Sequence, residues 1–223
     1  LEQIFDAGVH VCAPVLERTT QRTGILHRSS GSDFAPAEPI ELDMAHLIEE
    51  ETWSPLVSDL VGIPRVSVTT ARTVGDLAET TADFRDQYYG LRGCVSDALH
   101  HTPRQGHVRL ITTGLVDPAA CRWGQKTTKY DGRKWTRPVV DLNQVRSTTD
   151  LGPWTTQRLV PKLLLATQTK VLEVCVDAHG EFLPLTPLVT VQPHDAATLW
   201  HIAAAISSPA AALPPPTLGV VAT

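Results

Sequence analysis

The stretch RLVPKLLLATQTKVLEVCVDAHGEFLPLTPLVTV, residues 158–191, decides the fold that the sequence predicts. Two runs rich in Leu, Val and Thr flank the polar segment Asp-Ala-His-Gly at residues 177–180, which is typical of a β-hairpin with its turn at those four residues. The first half of the stretch also carries polar side chains that a strand does not need, namely Arg158, Lys162, Gln168 and Lys170. The sequence therefore raises the question of what these side chains contact.

Charge is distributed unevenly along the chain. The 223 residues have a formal net charge of −5. Residues 85–170 hold 14 of the 19 Lys and Arg residues against 6 Asp and carry +8, whereas residues 1–84 carry −9 and residues 171–223 carry −4. All three tyrosines lie in the basic segment. Basic side chains interleaved with aromatic ones are typical of nucleic-acid binding. The alternative is a solvated surface on which charges cluster.

Composition indicates a cytoplasmic protein. No apolar run approaches the roughly 18 residues that a membrane-spanning helix needs, so no membrane association is expected. The first residues contain early acids and no basic start, unlike a signal peptide. The four cysteines are widely spaced and form no CxxC pair, which favours free thiols over a disulfide or zinc framework. These cysteines are Cys12, Cys94, Cys121 and Cys175.

Local patterns predict strands mixed with short helices. Residues 4–18 read as one or two strands, residues 19–42 as a polar loop, and residues 107–116 as a strand that ends in a glycine turn. Residues 117–157, which carry much of the basic charge, are expected to be irregular. Helices are predicted as two pieces within 43–62, near 75–80, near 84–92, and over 194–208 with Asp195 near its start.

Common catalytic signatures are not found in the chain. It contains neither type of glycine-rich phosphate loop and no GxSxG motif. His100, His101 and His107 lack the acidic partner and the spacing of metal ligands. The acids of EVCVDAHGE, residues 173–181, suggest a nuclease cluster, but a hairpin turn with solvated acids is the preferred interpretation. No catalytic, cofactor-binding or metal-binding residue is therefore predicted.

Four stretches occur in the order found in one enzyme family: FDAGVHVCAPVLER at 5–18, VRLITTGLVDP at 108–118, the segment at 162–191, and LWHIAAAISSP at 199–209. In this order they resemble the C-terminal part of a Taq-type adenine-N6 DNA methyltransferase. The resemblance implies an α+β fold, in which a short piece of the catalytic-domain sheet precedes a DNA target-recognition domain. It implies edge strands of a catalytic domain at 1–25, a helical connector at 26–62, a target-recognition domain at 63–210 and a Pro/Ala-rich tail at 211–223.

The chain departs from that family in its chemistry. The family's catalytic signature, [Asn/Asp/Ser]-Pro-Pro-[Tyr/Phe/Trp], does not occur, and neither does the glycine-containing loop that holds S-adenosylmethionine. The resemblance therefore implies a fragment or subunit of a restriction-modification enzyme that recognises duplex DNA. Methyl transfer and S-adenosylmethionine then belong to a catalytic domain or subunit elsewhere. Two alternatives stay open: a protein-docking or oligomerisation module of a DNA-modification complex, and a metal-dependent nuclease.

The polar and aromatic residues of the basic segment become candidate DNA contacts under this interpretation. Lys162 and Arg158 are expected to neutralise phosphates, while Gln168 carries the amide that pairs with adenine in the major groove. The alternative for Lys162 is a side chain that snorkels at a sheet edge. The remaining candidates are Arg85, Tyr88, Tyr89, Lys126, Lys129, Tyr130, Arg133, Lys134, Trp135 and Lys170.

Overall fold

The computed structural model describes residues 13–15, 17–18, 20–21, 23–31, 33–43, 56–57, 60, 72–100, 102–167 and 172–208. These residues divide into two units, one before residue 69 and one formed by residues 72–208. Strands are mixed with short helices, which confirms the predicted α+β class. Most of the predicted strands at 4–18 and of the two predicted helices within 43–62 lie outside the described residues.

The first unit contains an antiparallel hairpin of β1 (Thr23–Ser30) and β2 (Ala35–Asp43). The loop predicted for residues 19–42 is therefore wrong over most of its length. Gly31 and Phe34 adopt positive φ angles of 80° and 54° at the turn. Most of the side chains in both strands are exposed or half-buried. An exposed two-stranded ribbon needs few apolar residues, which is why its polar sequence indicated a loop.

The second unit contains most of the described secondary structure. Its strands are β3 (Ala78–Ala82), β4 (Val95–Asp97), β5 (His107–Ile111), β6 (Val116–Asp117), β7 (Ala120–Cys121), β8 (Thr128–Tyr130), β9 (Arg133–Trp135), β10 (Pro138–Asp141), β11 (Lys162–Ala166), β12 (Glu173–Asp177), β13 (Phe182–Pro184) and β14 (Val189–Pro193). Its helices are α1 (Val74–Leu77), α2 (Arg85–Gly90), α3 (Leu142–Thr148), α4 (Gly152–Arg158) and α5 (Leu199–Ile206). Single 3-10 turns occur at Thr113–Leu115 and Ala196–Thr198.

These strands form two four-stranded sheets and two small ribbons. The first sheet has the order β13-β5-β10-β4, and the second has the order β12-β11-β14-β3. The pairing of β13 with β5 is parallel, while the other neighbours are antiparallel. The strands β6 and β7 form one ribbon, and β8 and β9 form the other. The sequence predicted an irregular segment at 117–157, which is wrong, because β7 to β10, α3 and α4 occupy it.

The chain passes from the second sheet to the first at the predicted hairpin turn. Strands β11 and β12 pair before the turn at 177–180, with Lys162 opposite Asp177. The turn then leads to β13, which pairs with β5 and not with β12. Gly180 has a φ of 68°, and a Cβ atom there would lie 2.8 Å from the Cα atom of Val160. The hairpin predicted around this turn is therefore wrong, because the turn packs against residue 160 and sends the chain to the other sheet.

Strand β11 is buried on both faces, which explains its unbroken apolar run. Leu163 and Leu165 pack with Ile202 and other residues of α5 on one side. Leu164 and Ala166 pack on the other side with a cluster that includes Ile111 and Val139 of the first sheet. The second sheet thus lies between α5 and the first sheet. Alternation along the strand directs Lys162 to the same side as Leu164.

Two predicted helices are confirmed in the second unit, because α2 lies within the region predicted near 84–92 and α5 within 194–208. The helix predicted near 75–80 is confirmed only over its first residues, because α1 ends at Leu77 and β3 begins at Ala78. The Asp195 carboxylate accepts a hydrogen bond from the Ala197 N–H at 2.9 Å, as its predicted position near the helix start requires. Across the described residues, none of the helices has the length and hydropathy needed to cross a bilayer.

Candidate nucleic-acid interface

The β8–β9 ribbon, residues 128–135, is called the basic hairpin below. Its turn consists of Asp131 and Gly132, whose φ angles are 49° and 73°. Two consecutive positive φ angles define the turn that best matches the twist of paired strands, and Asp-Gly is one of its preferred sequences. The signal was present in the sequence, but the surrounding residues are too polar to read as alternating strands.

The inner face of the basic hairpin is anchored to the first sheet and to α2. Thr128 and Tyr130 are buried, and Trp135 is half-buried. The Tyr130 hydroxyl donates to the Tyr88 carbonyl at 2.8 Å, and the Trp135 indole donates to the Tyr130 carbonyl at 3.0 Å. Burial raises the pKa of Tyr130, so its hydroxyl stays protonated and able to donate. Tyr130, Trp135 and Tyr88, all predicted DNA contacts, therefore serve to hold the hairpin in place.

The outer face presents two lysines directly opposite each other. Lys129 and Lys134 are paired in register across the two strands, and both are exposed. Like charges at directly opposed positions of an antiparallel pair repel each other. Within the part of the chain that the structure describes, neither lysine is ion-paired with a carboxylate. The hairpin thus carries a cationic face on a firmly packed base.

Helix α2 supports the turn of the hairpin. The Asp131 carboxylate is 2.8 Å from the Arg92 guanidinium, and the Asp131 N–H donates to the Tyr88 hydroxyl at 3.0 Å. The Tyr88 and Tyr130 rings meet edge to face, with centroids 4.9 Å apart. These contacts hold the turn against the end of α2.

An exposed aromatic side chain lies beside this turn. Tyr89 is 49% exposed, and the Arg92 guanidinium lies 4.6 Å from the centre of its ring. Because Arg92 also pairs with Asp131, the ring is linked to the hairpin through one arginine. Arg85 is exposed one helical turn before Tyr89, and Arg133 is exposed on β9. Arg133 is paired with Tyr130 and so lies on the face opposite the two lysines, Tyr89 lies beside the turn, and Arg85 lies on the same helix as Tyr89.

Lys126 differs from the hairpin lysines because an acid neutralises it locally. Its ammonium lies 3.5 Å from the Asp117 carboxylate, which also accepts from Arg122 Nε at 2.9 Å. The hydrogen bond from Arg122, with a smaller contribution from Lys126, holds the pKa of Asp117 below its usual value. Lys126 is exposed, but part of its charge is already compensated.

Lys162 does not lie where the sequence predicted a phosphate contact. Its side chain has 0% exposure, and its ammonium pairs with the Asp177 carboxylate, whose side chain is 2% exposed. It also donates to the Val160 carbonyl at 3.2 Å. A side chain with no exposed surface cannot reach a phosphate on bound DNA. The predicted DNA contact of Lys162 and its snorkelling alternative are therefore both wrong.

Asp177 is the acceptor that makes this burial possible. Besides Lys162, it accepts from the Glu181 and Phe182 N–H groups at 2.9 and 3.0 Å. Burial lowers the pKa of Lys162, and the Asp177 carboxylate opposes that shift. The expectation of solvated acids around this turn is therefore wrong for Asp177. A buried cation of this kind is tolerated only beside a matched acceptor.

Arg158 also forms its ion pair inside the protein. Its guanidinium pairs with Asp83 at 2.8 Å, and the Asp83 carboxylate also accepts from the Trp154 indole at 2.9 Å. The Arg158 side chain is 12% exposed. The structure thus corrects its assignment as a phosphate contact. The predicted contacts Gln168 and Lys170 lie outside the described residues.

No group of three or more His, Cys, Asp or Glu side chains is placed to hold a metal ion within the described residues. In comparisons with known proteins, no family model and no curated sequence matches this chain.

Proposed function

We propose that residues 72–208 form a target-recognition domain that binds duplex DNA through the basic hairpin. The observation that carries the proposal is the exposed cross-strand pair of Lys129 and Lys134. Two opposed ammonium groups destabilise the free hairpin, and a polyanion placed against both relieves their repulsion. A phosphate backbone supplies such an anion, and releasing its counterions adds to the affinity.

The shape of the hairpin supports this choice of ligand. The major groove of B-form DNA is wide enough to admit a two-stranded β-ribbon. Because Thr128, Tyr130 and Trp135 face inward, the outer face with the lysines is the side that is free to approach DNA. Tyr89 and Arg92 lie beside the turn, and this position supports a contact with the adjacent sugar-phosphate backbone.

We further propose that this domain belongs to an adenine-N6 DNA methyltransferase of the restriction-modification type. This step rests on the resemblance of residues 5–18, 108–118, 162–191 and 199–209 to the Taq-type enzymes. In such an enzyme the target adenine leaves the stack before methylation. A separate catalytic domain or subunit then supplies the methyl-transfer chemistry and S-adenosylmethionine, and the complex acts in the cytoplasm.

Fluorescence anisotropy with a labelled duplex tests DNA binding. The affinity of the wild-type chain falls steeply as salt rises, and Lys129→Ala with Lys134→Ala flattens the log–log slope by about two units if each lysine neutralises one phosphate. Arg104→Ala with Arg146→Ala is the charge-matched control, because both arginines are exposed outside the hairpin, and it leaves the slope close to wild type.

Two results contradict the proposal. A wild-type slope near zero supports the protein-docking alternative, because binding to a protein partner carries no such counterion release. An equal loss of slope in the lysine double variant and in the arginine double variant shows that binding depends on net charge and not on the hairpin. Circular dichroism of each variant confirms that the fold is kept before binding is compared.

A further inference from the structure

Two cysteines far apart in the sequence meet between the small β6–β7 ribbon and the second sheet. Cys121 ends β7, and Cys175 lies in the middle of β12. Cys175 belongs to the apolar cluster between the two sheets, and Cys121 packs against that cluster. Strand β7, which ends at Cys121, packs against β12, which carries Cys175, and both cysteines are free thiols.

The two thiols differ in their access to solvent. Cys175 is 1% exposed, whereas Cys121 is half-buried and accessible to a small oxidant. The neighbouring Cys175 thiol, then the Trp123 backbone and the Arg109 guanidinium, lower the pKa of Cys121, while the neighbouring Cys121 thiol, then burial, raise the pKa of Cys175. An accessible thiol with a second thiol behind it is the arrangement found in cysteine pairs that oxidise reversibly.

We propose that Cys121 and Cys175 form a modification site, at which a peroxide converts the two thiols into an intramolecular disulfide. The Cys121 thiolate attacks one oxygen of hydrogen peroxide, which breaks the O–O bond, and the leaving hydroxide takes up the proton of the thiol to give water and a sulfenic acid. The Cys175 sulfur then attacks the Cys121 sulfur and displaces the hydroxyl group, which leaves as a second water with the Cys175 proton. Two thiols are oxidised, and one peroxide is reduced to two waters.

The disulfide closes residues 122–174 into a covalent loop. That loop contains the basic hairpin, α3, α4 and the central strand β11. Linking β7 to β12 therefore restricts the separation of this segment from the rest of the second unit, and a thiol reductant reverses the change. Formation of this disulfide does not require DNA binding, because it depends only on the two sulfur atoms and their surroundings.

The test uses the full chain with Cys12→Ser, because Cys12 lies outside the described residues. The protein is treated with hydrogen peroxide, the remaining thiols are alkylated, and the chain is digested with trypsin, which cleaves after Arg122 and Lys170. The expected result is a peptide pair joined through Cys121 and Cys175, together with an intact mass, measured before alkylation, that is lower by about 2 Da from the loss of two hydrogens. Dithiothreitol restores the two separate peptides and the original intact mass.

Cys94 provides the matched control. It is buried, and its nearest polar partner is the Thr148 hydroxyl at 3.8 Å. Cys94→Ser leaves the linked peptides unchanged, whereas Cys121→Ser and Cys175→Ser each abolish them. Two results overturn the proposal. One is oxidation of Cys121 to a sulfinic or sulfonic acid while Cys175 stays a thiol. The other is a disulfide between two chains, seen on a non-reducing gel.

Discussion

The Lys162 ammonium and the Asp177 carboxylate form a buried ion pair between opposed residues of β11 and β12. The same carboxylate receives two N–H groups from residues 181 and 182, where the chain leaves the second sheet for the first. One acceptor thus neutralises a buried cation and holds the connection between the sheets. Both side chains are buried, so the pair is not exposed to a ligand.

Lys162→Ala is expected to lower the free energy of unfolding by about 3–5 kcal/mol, because it leaves the Asp177 charge buried without its partner. Urea denaturation followed by circular dichroism measures the change. Lys129→Ala, which removes an exposed lysine, is the control and is expected to stay within about 0.5 kcal/mol of wild type. A loss below about 1 kcal/mol for Lys162→Ala indicates that Asp177 finds another partner or water.

A double variant separates the ion pair from the turn contacts of Asp177. Lys162→Met with Asp177→Asn removes both charges and keeps a side-chain oxygen for one of the two N–H groups, which bond to different oxygens of Asp177. It is expected to recover more than half of the stability that Lys162→Ala loses, because no charge remains buried without a partner. The same urea denaturation measures the free energy of unfolding of the double variant. Equal stability of the two variants contradicts the assignment of the loss to an unpaired charge.

Tyr130→Phe is expected to cost about 1–2 kcal/mol, because the Tyr88 carbonyl loses the hydroxyl donor that satisfies it at the base of the hairpin. Tyr89→Phe removes a hydroxyl from a tyrosine that is half exposed, and is expected to leave stability unchanged. Thermal and urea unfolding of the two variants check the difference. Similar losses of stability in the two variants show that the loss does not come from the hydrogen bond to Tyr88.

Arg122→Ala is expected to raise the pKa of Asp117 towards its usual value, since the hydrogen bond from Arg122 is the largest cause of its lowering. A depressed pKa in the folded state means that Asp117 stabilises the fold above its unfolded pKa, and that this contribution is lost as pH falls through the folded pKa. NMR titration of the Asp117 carboxyl carbon measures this pKa in the wild type and in the variant. Lys126→Ala is expected to produce a smaller rise, and a larger one contradicts the assignment.

Gln168→Ala tests whether the connection after β11 reads bases. If its amide pairs with an adenine edge, the variant loses about 1–3 kcal/mol on the duplex that the wild-type chain selects from a random pool, and little on a scrambled duplex. Lys129→Ala is the comparison, because a phosphate contact weakens binding to both duplexes alike. Identical losses on both duplexes remove Gln168 from the set of base-reading residues.

Several features could be predicted from local sequence. The apolar run at 162–166 indicated a buried strand, and Asp195 before an apolar periodic segment indicated the 3-10 turn that leads into α5. Clustered lysines, tyrosines and tryptophans indicated the segment that contains the basic hairpin. These signals depend on residues that lie close together in the chain, so no tertiary contact is needed to read them.

The roles of the polar residues were decided by contacts between distant segments. Lys162 meets an acid 15 residues later in the chain, and Arg158 meets an acid 75 residues before it. Strand alternation assigns each side chain to a face of its sheet, but it does not determine which face is covered or which charge lies opposite. The sequence by itself therefore determined the buried strand β11, the regions of helices α2 and α5, and the position of the basic charge. Only the tertiary structure decided which basic side chains are neutralised inside the fold and which two face each other at its surface, because burial and pairing depend on packing between segments.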